Sequence, residues 1–200
     1  MQVRRSMIAA WTATLLLPAL AAATAYKVDP DHTNVAFKVR HLFTAVQGRF
    51  DHFEGTINFD PAKPEDTSVE GWVDAKSINT NVPERDKHLR SDDFFDVAKY
   101  PKIAFASTKP AQIDASKKSG KLEGMLTIHG VQKPVVLDVT YLGAAKDPWG
   151  NQRAGFSART TINRKDFGLS WNETLESGGL LVGDEVQIEI DAEGMVPASK

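Results

Sequence analysis

The stretch LEGMLTIHGVQKPVVLDV, residues 122–139, decides how the chain is read. Leu122, Gly124, Leu126 and Ile128 alternate with Glu123, Met125 and Thr127, and after His129-Gly130 Val135, Leu137, Val139 and Tyr141 alternate with Val136, Asp138 and Thr140. A period of two places one apolar face and one wet face on each segment, the signature of half-buried β-strands. His129-Gly130 lies where such a pair must reverse.

The same alternation extends in both directions. Upstream are Val35, Phe37 and Val39; Val46, Gly48 and Phe50; Ile57 and Phe59; Val69, Gly71 and Val73; and Ile103 and Phe105. Downstream are Phe156, Ala158, Thr160 and Ile162, then Val186, Ile188 and Ile190. Turn chemistry separates the runs at Asp60-Pro61, Lys63 to Asp66, Ser119-Gly120, Asp147 to Gly150 and Ser177-Gly178-Gly179. About eight antiparallel strands fit a sandwich or a closed barrel. Gly48 and Gly55 fall inside strand patterns, where glycine marks a bulge or bend, and this favours the barrel. An eight-stranded barrel has an interior wide enough for side chains or for one small ligand. The pattern leaves open which of the two it holds.

The amino terminus carries a different signal. Arg4 and Arg5 precede an apolar run from Met7 to Leu20, and Ala23-Thr24-Ala25 supplies a small-x-small cleavage pattern before Tyr26. Residues 1–25 are therefore expected to be a cleaved secretory signal peptide, with the general secretory route favoured over twin-arginine export. The run is too short for the roughly 20 residues a bilayer requires. Cleavage leaves 175 of 200 residues, enough for one domain over 26–196. The chain has 24 basic and 26 acidic residues, and losing Arg4 and Arg5 takes its formal charge from −2 to −4. A mildly acidic surface argues against nucleic-acid binding. The absence of cysteine fits an exported bacterial domain held by packing alone, so the expected location is the periplasm, with no integral membrane segment after cleavage. A homodimer is compatible with this reading.

One segment breaks the pattern: PERDKHLRSDDFF, residues 83–95, dense in charge and ending in two phenylalanines. Asn81 and Glu84 resemble a capping box around Pro83, which predicts a short helical insert near 82–95, helical from Arg85 to Arg90. Phe94 and Phe95 are expected to be largely buried, either as core staples or as the closure of one barrel mouth. Arg85 and His88 are candidates for contact with a polar head group, although Arg85 could equally tie the helix to an acidic neighbour. Arg164 and Asp166 carry the same ambiguity.

Catalytic and metal chemistry find little support. None of the histidines at 32, 41, 52, 88 and 129 falls in an H-x-x-x-H spacing, and no cysteine supplements them. No G-x-S-x-G elbow is present, and Asp86 and His88 occupy neighbouring rather than facing helix positions. The expectation is no enzyme, no catalytic residue, no metal and no cofactor.

RDKHLRSDDFFDVAKYPKIAF (85–105), DHTNVAFKVRHLF (31–43), VQGRFDHFEGTINFD (46–60), LEGMLTIHGVQKPVVLDV (122–139) and NRKDFGLS (163–170) together resemble the YceI-like family of periplasmic lipid-binding proteins. The resemblance covers essentially all of 26–193. It implies a lipocalin-like antiparallel β-barrel that binds a long polyisoprenoid or related amphiphile inside. On that reading Phe37, Val39, Phe50, Val73, Phe94, Phe95, Phe105, Leu126, Leu137 and Phe156 line the interior. The ligand would be an isoprenoid quinone, polyprenyl phosphate or fatty amide, held for transport or sequestration without covalent chemistry. The rival reading is a solid-core barrel acting as a stress-associated structural module.

Overall fold

Alternation along the chain becomes a closed wall in the computed structural model, which describes residues 23–108, 112–114, 116, 118–175 and 178–198. Most of the expected signal peptide lies outside the described residues. Among them, twelve strands form one antiparallel sheet: β1 (Thr24–Val28), β2 (Asn34–His41), β3 (Thr44–Phe50), β4 (Phe53–Phe59), β5 (Ser68–Asp74), β6 (Ile78–Asn79), β7 (Lys102–Ser107), β8 (Gln112–Asp114), β9 (Ser119–Ile128), β10 (Val131–Lys146), β11 (Gln152–Asn163) and β12 (Val182–Val196). The helix α1 spans Pro83–Arg90.

The ring runs β1-β4-β5-β7-β9-β10-β11-β12 and closes through Lys27 opposite Met195 and Val28 opposite Gly194. Closure removes the exposed edges that an open sheet would present. The expected count of about eight holds at this level. Three walls are longer strands broken by short bends: β1 continues into β2, β3 into β4 and β5 into β6. Two of the bends are 3-10 turns, at Pro30–His32 and Ala75–Ser77, capped by Asp29 and Asp74 side chains that accept from the Asp31 and Lys76 N–H groups.

These bends correct the reading of the strand glycines. Gly48 and Gly55 sit in unbroken register, opposite Phe37 and Gly71, and neither marks a bulge. The irregularities fall instead between β3 and β4, between Tyr141 and Gly143 in β10, and between Val182 and Val186 where β12 pairs with β2. Ser119-Gly120, expected as a reversal, belongs to β9; the left-handed residue is Lys118, at φ 54°. His129 and Gly130 do turn the β9–β10 hairpin, with φ of 51° and 75°, the doubly positive pair that a tight two-residue hairpin requires.

The charged insert now has a structural reason. Among the described residues β6 pairs only with β3, and β7 only with β5 and β9, so the wall parts beyond the end of β5. α1 and the segment after it occupy the chain between these two strands, and α1 packs on β6. The capping box does not form. Asn81 is left-handed at φ 60° and Val82 takes the cap position without a side-chain bond. The helix is fastened by Asp86, whose buried carboxylate accepts from the Thr80 N–H at 2.8 Å and the Thr80 hydroxyl at 2.5 Å. Arg90 adds bonds to the Lys76 and Ile78 carbonyls, each at 2.8 Å.

Candidate functional site

The apolar phase of each strand points inward, yet much of it is not sealed. Phe37, Val39, Val73, Phe105 and Phe156 are only half-buried, although they face away from bulk solvent. They border a cavity of about 630 Å³ inside the barrel. Side chains that would otherwise fill the interior instead line a lumen, whose wall is aliphatic and aromatic along most of its length.

Two inward glycines help keep that lumen open. A Cβ built on Gly48 would lie 2.4 Å from Phe37 Cζ, and one on Gly124 would lie 2.4 Å from Phe105 Cζ. Each phenylalanine therefore lies along the wall over a residue without a side chain. Interiors pack at crystal-like density, so any side chain at these positions would drive the ring elsewhere.

All ten residues expected to line the interior border the cavity. They are not equivalent. Phe50, Phe94, Leu126 and Leu137 are buried, while the other six are half-buried. Phe95 was expected to be largely buried; it packs on the Leu126 cluster but keeps part of its surface toward the lumen. Sequence reasoning did not single out Trp171, which borders the cavity from the irregular segment between β11 and β12. That segment has no periodicity that could have flagged it. Ile188 also borders the cavity and belongs to the apolar phase of β12, so its signal was legible.

At the α1 end the wall becomes polar. His41, Glu84, Arg85 and His88 border the cavity there, together with Trp171, Leu181 and Val182. His88 stacks edge-on against Phe94 and Trp171, with ring centroids 5.1 and 4.9 Å away, and its Nε2 lies 2.9 Å from Asp93 Oδ2. Arg85 does not tie the helix to an acidic neighbour. Its Nε and Nη2 donate to the Thr80 hydroxyl and carbonyl at 2.8 and 2.9 Å, and no carboxylate lies in ion-pair range among the described residues. Arg164 resolves the other way: it is buried and donates to the carbonyls of Gly183, Leu169 and Trp171. Burial lowers its pKa, partly offset by Asp184. Its work is to pin the loop that carries Trp171.

The opposite end is closed by rings and tied by charge. Phe59, Tyr141 and Phe156 meet there, with Tyr26 behind Phe156. Around them Arg153 gathers Asp29, Asp147 and Glu193 from three parts of the chain. Burial pushes the Asp147 carboxyl up, but hydrogen bonds from Arg153, Asn151 and two backbone N–H groups outweigh it and hold the group at about 2. Asp29, opposed by burial in the same way, is lowered by Arg153 and His32. Donor atoms of Asp29, His32 and Glu193 lie within 4.8 Å of one another. The Arg153 guanidinium already bonds both carboxylates, so the charge an ion would meet is answered from within the chain.

Comparison with known proteins follows the same outline. The YceI-like domain profile matches residues 26–194. A UPF0312 protein of Pseudomonas savastanoi pv. phaseolicola is 43% identical over 171 residues, spanning 84% of this chain and 88% of that one. The crystal structure of the Campylobacter jejuni YCEI protein superposes with a TM-score of 0.67 at 36% identity, over 80% of this chain and 90% of that one. A polyisoprenoid binding domain from Saccharophagus degradans superposes with a TM-score of 0.59 at 18% identity, over 88% and 100%, a likeness of fold.

Proposed function

The chain belongs to the YceI-like family, and from that membership and its open lumen we propose that it binds a long-chain amphiphile, which it carries or sequesters in the periplasm without covalent chemistry. The observation that carries this reading is the set of inward apolar residues left half-buried around about 630 Å³. A pocket of several hundred Å³ lined mostly by apolar groups with a few polar ones is what a small-molecule site requires. Apolar area removed from water contributes roughly 25 cal/mol per Å², so a chain threaded into this wall is held without specific polar contacts. The same physics accepts an isoprenoid quinone, a polyprenyl phosphate or a fatty amide. The polyisoprenoid-binding description of the Saccharophagus degradans neighbour is consistent with that ligand class. Arg85 and His88, half-buried at the polar end, are the groups placed to meet a head group. The solid-core alternative requires a filled interior, and the lumen volume favours the carrier.

Mass spectrometry of the organic extract from protein purified out of its native periplasm tests this reading. The expected result is one chain-bearing amphiphile near equimolar with protein. An extract free of such molecules, with delipidated protein that takes up none, would overturn it.

A further inference from the structure

The lumen has a floor, and its construction bears on what the lumen takes. In the ring of eight walls, β4 and β10 stand opposite each other, with β5, β7 and β9 between them one way and β1, β12 and β11 the other. Yet Phe59 on β4 and Tyr141 on β10 touch, their ring centroids 4.6 Å apart. This contact spans the barrel's full width. Phe156 completes the layer, 5.2 Å from Phe59 and 5.6 Å from Tyr141. Tyr26 backs Phe156 from outside the cavity at 6.4 Å, seated against Gly194, where a Cβ would lie 2.6 Å from its own. Phe59, Tyr141 and Phe156 all border the cavity, and Phe59 is only 3% exposed. A chain entering beside α1 therefore ends on aromatic rings.

Resting on the carrier reading above, we propose that this floor acts as a length stop, and that the ligand class is a single-chain amphiphile with an apolar part of limited length. A chain carbon occupies about the liquid volume of a water molecule, ~30 Å³, so a lumen of about 630 Å³ holds on the order of twenty carbons. Longer chains leave their excess in water near α1. Lys118, exposed toward the floor end, also borders the cavity, and a chain that escaped there would show no length limit.

The test is displacement of a fluorescent polyene fatty acid from delipidated protein by straight-chain carboxylic acids of rising length. One head group throughout isolates length as the variable. Affinity should rise about fourfold per added methylene, the transfer value of a buried CH₂, and level off near about twenty carbons. Two variants move the stop in opposite directions. Tyr141→Ala opens the floor and should shift the break to longer chains. Ala158→Phe, one inward position nearer α1 than Phe156 on the same strand, raises the floor and should shift it to shorter ones. Affinity that climbs without a break in the wild type, or a break that stays in place in both variants while circular dichroism shows them folded, overturns the length stop and leaves the carrier reading standing. If Tyr141→Ala does not fold, Ala158→Phe alone decides, because it adds a ring at a position that borders the lumen. Wild-type protein that binds no chain of any length overturns the carrier reading itself.

Discussion

Val39→Trp is the perturbation that most sharply separates a lumen from a core. Val39 is half-buried, borders the cavity, and sits between Val46 and Val186, which border it too. An indole buries about 150–250 Å², worth roughly 4–6 kcal/mol at 25 cal/mol per Å² if fully covered. Losing the valine and fixing the indole rotamer offset part of that gain. Placed in open space, the tryptophan should leave stability within about 1 kcal/mol of wild type, or ~2–4 °C in melting temperature for a chain of this size. Leu137 supplies the contrast. It is 8% exposed and packs on Leu122, itself 2% exposed, so Leu137→Trp overpacks a filled site at ~1–3 kcal/mol. Binding should respond in the opposite sense. If the indole excludes even about four methylenes at 0.8 kcal/mol each, affinity falls by ~3 kcal/mol, about 200-fold. The assay is a thermal melt beside a probe titration on delipidated protein. A Val39→Trp variant melting some 10 °C low would show the interior solid at that position. One that binds the probe like wild type would show that the chain does not pass Val39.

Three further outcomes follow from named groups. Asp86→Ala strands two buried Thr80 donors and should destabilise by ~3 kcal/mol in urea, since hydrogen bonds to charged groups contribute about 1.5–3 each; a loss under about 1 kcal/mol would mean that α1 is fastened elsewhere. The Asp147 and Asp29 carboxyls beside Arg153 are depressed in the folded state, so their contribution is complete above the ordinary carboxyl value of 3.8 and drains away toward about 2. Melting temperature should therefore fall between those pH values, and less so in Arg153→Met; equal acid sensitivity in the two proteins would remove the network from the explanation. N-terminal sequencing of exported protein should begin at Tyr26, in the soluble periplasmic fraction, whereas Met1 retained in a membrane pellet would contradict the cleavage reading. Among the described residues no helix is long and apolar enough to cross a membrane.

The barrel was legible because burial on one face imposes a period of two, and that period survives wherever register is kept. Gly48 shows the limit of the method. In sequence it looks like a bend, because glycine in a strand has several uses. Its use here, as a seat for the Phe37 ring, depends on a cross-strand partner that local pattern cannot specify. The helix was legible from its charge and Pro83, but its fastening was not. Asn81 and Glu84 suit a capping box, while the burial of Asp86 under Thr80 depends on where β6 ends. The inward phase of the site was legible and its emptiness was not. A lumen is the difference between the volume a ring of walls encloses and the volume its side chains fill, and both depend on closure. Trp171 lay beyond reach altogether, since its position is set by Arg164 gripping carbonyls in a loop without repeat.

The central claim is that the interior is open and takes one apolar chain. Calorimetric titration of delipidated wild-type protein with a long-chain fatty acid, repeated at several temperatures, addresses it directly. Burial of a chain in the lumen predicts saturable binding of one molecule per protein with a clearly negative heat-capacity change. Heats that never saturate, or a heat-capacity change near zero, would mean that the chain only adsorbs outside a barrel it cannot enter.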